Sequence, residues 1–452
     1  MTGVADLASR VQGELLLPAS PGYDEARSVW NAAVDRRPAA ILRCAGTEDV
    51  RSALEIAAEQ SLEIAVRAGG HSVSGKSVCD GGLVIDLSRL KGVRVEPNGA
   101  TANVQPGVTL GELVAQIEPR GFLTTTGIVS TTGLSGLTLG GGIGWLMGRY
   151  GLACDNLLSA EVVTADRRLL RASTTENADL LWALRGGGGN FGVVTSFTFR
   201  LHRSEPILSG MVLHSIDAAV DVLRFYREYT AAAPDGLTAN AALLTSPDGY
   251  PIAGVAVCWC GPEDEGERVL APLRRFGPPV VDTISWTPYA AAIRMMDEAA
   301  APGLARQYRS GALSGLSDDA IEIMVEYGRK LTSPLWGYVL LEHMHGAAVR
   351  VAADSTAFAQ RDVRYFVLLG PQWSPGDDPT PHAAWADQFW AALQPHTTSG
   401  VYVNYLGDED DQRVRTAYGP NYTRLAQLKR RFDPANVFRL NQNVRPADTN
   451  GT

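Results

Sequence analysis

The chain has 452 residues, 45% of them hydrophobic and 20% charged, with a formal net charge of −9. That length exceeds one ordinary core and suits two large domains. The acidic balance argues against nucleic acid or an anionic membrane as partner, since both attract basic surfaces.

The five cysteines, at 44, 79, 154, 258 and 260, are odd in number and irregular in spacing. They point to neither a disulfide framework nor a zinc site, and no metal ligands are expected. The opening MTGVADLASRVQGELLLP lacks a basic region followed by an apolar core, so no signal peptide is expected and the cytoplasm is the expected location.

In chain order, residues 47–60 read as a helix, with Thr47 as its cap and Glu48 and Asp49 at the positive end of its dipole. Residues 63–68 follow as a short strand that runs into Gly69-Gly70-His71. Residues 82–87 form another strand, and 94–105 a strand pair around Pro97-Asn98-Gly99. Alternating short strands and helices through the first 200 residues indicate an α+β or α/β domain.

From about 206 to 400 the pattern changes. Helical stretches at 218–232 and 318–331 alternate with strand-like runs at 252–260, 337–343 and 365–369. A second domain with an antiparallel sheet and helices fits this. Cys258 and Cys260 alternate with Val257 and Trp259 in one strand and are expected to be buried thiols. Near the C-terminus, Tyr422, Leu425, Leu428 and Phe432 form an apolar helix stripe that Asp433-Pro434 ends. The five Arg and Lys within 423–439 are expected to form a solvated face.

Three glycine-rich segments stand out. In VRAGGHS (66–72), paired glycines after a strand let backbone amides approach an anion. Taken alone it fits a turn with a solvated histidine equally well. Residues 121–148 carry no charge, with 9 Gly and 8 Ser or Thr among 28 residues. A membrane helix would be rich in Leu, Ile, Val and Phe, so this stretch is a ligand surface or a tight packing interface. The entropic cost of so many glycines favours a ligand that orders them. In RGGGGNFGVVT (185–195), Gly187, Gly189 and Gly192 match G-x-G-x-x-G. A helix precedes them and a strand follows, the reverse of a dinucleotide-binding loop.

Six segments in order carry a resemblance: RAGGHS at 67–72, GGGIGWL at 140–146, YGLACDNL at 150–157, RGGGGNFGVVT at 185–195, YVNY at 402–405 and NYTRLAQLKRRFDPANVFRLNQNV at 421–444. The chain resembles the berberine-bridge-enzyme-like branch of FAD-linked oxidases, which share the vanillyl-alcohol-oxidase fold. The resemblance implies an α+β chain. A two-part PCMH-type FAD-binding domain would be built from 1–205 and 401–452. An α/β substrate domain with an antiparallel sheet would be inserted at 206–400.

It also implies that His71 bonds the flavin 8α-methyl group and that loop 68–72 holds the FAD pyrophosphate. FAD contacts implied in the first segment are Val66, Arg67, Ala68, Gly69, Gly70, His71 and Ser72. In the second they are Thr126, Gly127, Thr131, Thr132, Gly133, Gly136, Leu137, Gly141, Gly142 and Gly144. Asn156, Val194, Asn404, Asn441 and Asn443 complete the set, with Gln442 beside the last two.

Many such proteins carry a second flavin bond from a cysteine. Here that position is Val129 and the accompanying histidine position is Leu137, so a single bond through His71 is expected. The departure argues against a carbohydrate substrate. Thr132 with Leu137 resembles polyketide-tailoring flavoenzymes that oxygenate through a flavin N5-oxide, an alternative to an oxidase or a dehydrogenase.

In the expected reaction the cofactor accepts hydride from a C–OH or C–N centre of a small natural product, and a protein base takes the accompanying proton. Dioxygen would reoxidise the flavin. The base candidates are Tyr402 and Tyr405, on opposite faces if YVNY is a strand, and Glu342 in YVLLEHMH (338–345). A free tyrosine titrates near pH 10, so it would need activation. Core packing is the alternative for the tyrosines, and a half-exposed strand charge is the alternative for Glu342. These candidates weigh against a flavin carrier without turnover.

Overall fold

The computed structural model describes residues 6–407 and 411–448; the expected domains' outermost ends lie outside them. The chain begins with a four-stranded sheet. Glu14–Leu16 runs antiparallel to Ala40–Arg43, which is parallel to Leu83–Asp86, itself parallel to Ile64–Arg67. Helix Thr47–Glu59 makes the crossover. Gly46, not Thr47, occupies its cap position, and no side chain caps it. Thr47 is already helical, which moves its hydroxyl away from the free amides. The buried Asp49 carboxylate instead gathers the N–H groups of Ala45, Gln12 and Gly13 at 2.7, 2.8 and 2.9 Å.

Loop 68–72 therefore leaves a parallel sheet at the carboxyl end of a strand, the usual place for a ligand crevice in such sheets. A second, five-stranded antiparallel sheet follows, ordered Val93–Val95, Thr101–Val104, Val193–Arg200, Leu157–Val163 and Leu169–Ser173. Helix Ala178–Leu184 precedes strand Val193–Arg200, so the glycines at 187–192 form a helix-to-strand turn, as their flanks predict.

The C-terminal helices Asp411–Tyr418 and Tyr422–Phe432 join this core, with Tyr418, Leu425 and Phe432 packed in one cluster with Leu180 and Phe197. Arg424, Arg430, Arg431 and Arg439 are exposed as expected. Lys429 is not. It lies one turn before Asp433 on the inward side of the helix, and both side chains are fully buried. Its ammonium donates to Asp433 at 2.7 Å and to the carbonyls of Asn190 and Phe438 at 2.8 Å.

The third layer is a nine-stranded antiparallel sheet. Its middle is Ile207–Ser215, Pro251–Cys260, Leu237–Thr245, Trp336–His343 and Tyr365–Trp373, in that order. Strand alternation sorts the side chains. Along Trp336–His343, Val339 and Leu341 enter a core shared with helices Ala219–Ala231, Asp318–Gly328 and Thr380–Leu393. Tyr338, Leu340 and Glu342 point the other way, towards the first two sheets. All five cysteines are free and buried, Cys258 and Cys260 included.

A short N-terminal strap ties the layers together. Trp30 N–H donates to Gly70 O at 3.0 Å, and its indole N–H to Ala300 O at 2.7 Å. The buried Asn31 amide donates to Val73 O and Arg306 O, and its oxygen accepts from Arg306 N–H. Nearby, Asp297 accepts from Ser130 N–H at 2.8 Å and Ser130 O–H at 2.6 Å.

Among the described residues no helix is long and apolar enough to cross a membrane, and no group of side chains is placed to hold a metal.

Candidate active site

One cavity of ≈ 760 Å³ runs between the glycine-rich segments and the open face of the nine-stranded sheet. That is within the usual range for a small-molecule or cofactor site, about 300–1,000 Å³. At one end, Gly69 and Gly133 bring their segments into backbone contact. A Cβ on Gly69 would lie 2.5 Å from Gly133 N and Cα, so neither position accepts a side chain. Met295, Met296, Leu244 and Trp336 are also part of the cavity wall.

His71 lies on the wall, its ring stacked on Trp30 with centroids 4.3 Å apart and an 18° tilt. Thr131 Oγ1 approaches its Nε2 at 3.5 Å. Burial holds the imidazole well below its ordinary range, at about 4. The Arg306 charge pushes the same way, while a backbone hydrogen bond and Asp297 oppose it. His71 is thus uncharged at neutral pH, with a lone pair available.

The YVNY segment is not a strand. Tyr405 N–H returns to Tyr402 O at 2.9 Å, closing a single 3-10 turn over Val403–Tyr405. The turn brings both tyrosine rings together, edge to face at 4.9 Å, rather than onto opposite faces. Their roles differ. Tyr402 oxygen accepts from Gly142 N–H at 2.9 Å, Ile143 N–H at 3.4 Å and the Asn404 amide at 2.8 Å, so it anchors the glycine loop. Tyr405 O–H donates to Glu342 at 2.6 Å.

Glu342 is 1% exposed, which removes the solvated-charge alternative. Burial lifts its carboxyl to about 7, only partly opposed by the Tyr405 bond. Its second oxygen has no partner. A buried carboxyl poised near neutral pH and joined to a phenol at a cavity wall is suited to exchanging protons with a substrate.

The remaining predicted residues divide by position. Val66, Ala68, Gly69, Gly70, Ser72, Thr132, Gly133, Gly136, Leu137, Val194, Asn404 and Asn441 line the cavity with His71, Tyr402 and Tyr405. Glu342 stands behind Tyr405. Gly127, Gly141, Gly142 and Gly144 lie off the lining and pack loops together; a Cβ on Gly144 would meet Thr126 O at 1.8 Å. Thr126 bonds Tyr289, and Asn156 is a buried clip between His202 and the carbonyls of Tyr150 and Leu152. Arg67 turns back to Ala26 O. Asn443 is off the lining, its oxygen buried without a partner.

Sequence reasoning missed Trp30, Tyr308, Tyr338 and Asn240, all on the lining. The even-numbered positions of the sheet strands were the available signal for Tyr338 and Asn240. Trp30 and Tyr308 sit on irregular segments with no local mark.

Residues 38–173 match the FAD binding domain family, and residues 401–445 match the berberine and berberine-like family. An FAD-linked oxidoreductase of Bacillus subtilis (strain 168) is 31% identical over 97% of this chain and 98% of its own. The (R)-6-hydroxynicotine oxidase of Paenarthrobacter nicotinovorans is 31% identical over 96% of this chain and 97% of its own. The crystal structure of 6-hydroxy-D-nicotine oxidase from Arthrobacter nicotinovorans superposes with a TM-score of 0.88 at 29% identity, covering 97% of this chain and 98% of that one. With the glycine-walled cavity and the tyrosine–carboxyl pair in place, these matches run the length of the chain, which belongs to the berberine-bridge-enzyme-like family of FAD-dependent oxidoreductases.

Proposed function

We propose that the protein is an oxidase that carries FAD bonded to His71 alone and removes hydrogen from a C–OH or C–N centre of a small, largely apolar molecule, with dioxygen as the final acceptor. The residues present suit the cofactor. The Gly69–Gly133 contact leaves a side-chain-free wall, and the buried Asn441 oxygen, on the lining, lacks a hydrogen-bond partner. Val129, at the position of the second flavin bond in other family members, is a cavity-lining side chain that forms no such bond.

Bound FAD supplies the hydride acceptor and passes the electrons on to dioxygen. The chain's own work is to place the substrate and take its proton. Burial raises the Tyr405 phenol well above its ordinary range, so a standing phenolate is disfavoured. A relay avoids it: Tyr405 receives the substrate proton as its own passes along the 2.6 Å bond to Glu342. Tyr402, already accepting three N–H groups, holds the glycine loop against this turn. The observation that carries the reading is the Tyr405–Glu342 pair on the wall of the cavity that His71 also lines. The relative that oxidises 6-hydroxynicotine supports an amine or alcohol substrate of modest size.

Acid precipitation tests the linkage. The unmodified protein should keep its yellow colour in the pellet, and His71→Ala should release it. Colour lost from the unmodified protein refutes the bond.

A further inference from the structure

The cavity has a second polar centre that the proton relay leaves unused. Tyr308 and Tyr338 both line it, with hydroxyls 2.7 Å apart. One hydrogen bond between two hydroxyls consumes one proton and leaves the other without an acceptor. Burial raises both phenols, so both stay protonated at neutral pH. The Tyr338 ring lies across the neighbouring strand because Gly370 stands opposite in register; a Cβ there would meet Tyr338 Cζ at 2.5 Å.

Arg306, 3% exposed, is close enough for its charge to act on both phenols. Its guanidinium donates to Ala301 O at 2.5 Å and Leu304 O at 3.1 Å and lies 4.0 Å from the Trp30 ring. Its Nε has no partner, and its side-chain acceptors among the described residues are those two carbonyls, not a carboxylate. A buried cation without a counter-charge leaves a positive potential around it. Glu342 lies at the opposite pole. Tyr338, Leu340 and Glu342 share one face of their strand, which puts Tyr338 and Glu342 about 13 Å apart along it, with the Tyr308 ring edge-on to the rings of both Tyr338 and Tyr405 at 6.4 Å. Leu340, Leu368, Val73 and Ala300 form an apolar wall between them.

We propose that the Tyr308–Tyr338 hydroxyl pair, with Arg306 behind it, docks an electron-rich oxygen of the substrate. That oxygen is a conjugated carbonyl, or the corresponding enolate or phenolate, on a flat apolar ring system whose oxidised carbon faces Tyr405 and Glu342. This deepens the oxidase reading and rests on it. The chemistry narrows the class. An ammonium would be repelled by Arg306. A carboxylate or phosphate calls for several convergent donors at the cavity surface, whereas one O–H is spare there and Arg306 is not among the residues that line the cavity.

The test titrates flavin-loaded full-length protein with chromone, 4-nitrophenolate and naphthalene, reading binding from the flavin absorbance. One matched hydrogen bond to a neutral or charged acceptor corresponds to roughly a tenfold change in affinity. Wild type should bind chromone about tenfold tighter than naphthalene. The double variant Tyr308→Phe, Tyr338→Phe should lose that advantage while keeping its naphthalene affinity. Arg306→Met should weaken 4-nitrophenolate more than chromone. If the double variant does not hold flavin, Tyr338→Phe alone decides, with a loss of at least about threefold for chromone expected. Equal binding of chromone and naphthalene by wild type, no perturbation by chromone, or unchanged chromone affinity in the variants overturns the proposal. The readout needs no turnover, so an inactive enzyme or acid-released flavin sinks the oxidase reading separately.

Discussion

Replacing Glu342 by Gln removes a titrating proton from a fully enclosed site, and the structure sets the size of the effect. The carboxyl is 1% exposed, and burial lifts it from 4.5 to about 7. A raised carboxyl binds its proton more tightly in the folded state. The stability that Glu342 contributes is therefore fully present below pH 4.5 and is lost as pH rises to about 7, where the charged form must be buried. At 1.36 kcal/mol per unit, the shift corresponds to about 3 kcal/mol. Gln does not titrate. The variant should match wild type near the acid end of this window and exceed it by about 3 kcal/mol above it. Urea unfolding of the flavin-loaded proteins at about pH 5 and about pH 8 measures the difference. Activity should move oppositely. Wild-type kcat/KM should rise through about pH 7 as Glu342 ionises, and the variant should lose both that limb and about 10²- to 10⁴-fold in rate. A stability difference that stays constant with pH would refute the placement of this carboxyl as a buried, proton-holding group.

Tyr402→Phe should act on structure rather than on proton transfer. It strips the acceptor from Gly142 N–H and the Asn404 amide, costing about 1–3 kcal/mol by denaturant unfolding, with the acid limb of kcat/KM unmoved. A displaced limb would make Tyr402 the proton carrier instead of Tyr405. Lys429→Met should leave Asp433 without its buried counter-ion, held only by the N–H groups of Val437 and Phe438, and destabilise by about 3–5 kcal/mol. Adding Asp433→Asn should recover part of that loss, and equal stability of single and double variants would contradict the coupling.

The parts of the site that were legible in the sequence are those where a local conformational demand leaves a mark. Paired glycines after a strand announced loop 68–72. The helix before Gly187 and the alternation after it gave the direction of that turn. The alternation of YVLLEHMH placed Glu342 on one face and His343 and His345 on the other, where the two imidazoles stack 4.9 Å apart.

What was not legible depends on contacts between distant segments. Nothing near Tyr405 names Glu342, 63 residues earlier. The YVNY alternation suits a strand, yet no neighbouring strand pairs with it, and a local hydrogen bond closes it into a turn instead. Lys429 reads as one of a solvated basic run until Asp433, Asn190 and Phe438 are seen to surround it. Trp30 and Tyr308 owe their positions to hydrogen bonds made across the chain, which leave no periodic trace.

The strap at Trp30 and Asn31 has a consequence for recombination. An exchange of residues 206–400 between relatives looks like a cassette swap, because the flanking sheets are complete without them. The incoming segment would nonetheless have to present carbonyls where Ala300 and Arg306 stand, to meet a tryptophan and an asparagine encoded far upstream. Chimeras that carry the stretch around residues 30–32 along with the insert should assemble. Those that split the two should misdock even when each part folds, so the unit that can be exchanged intact is discontinuous.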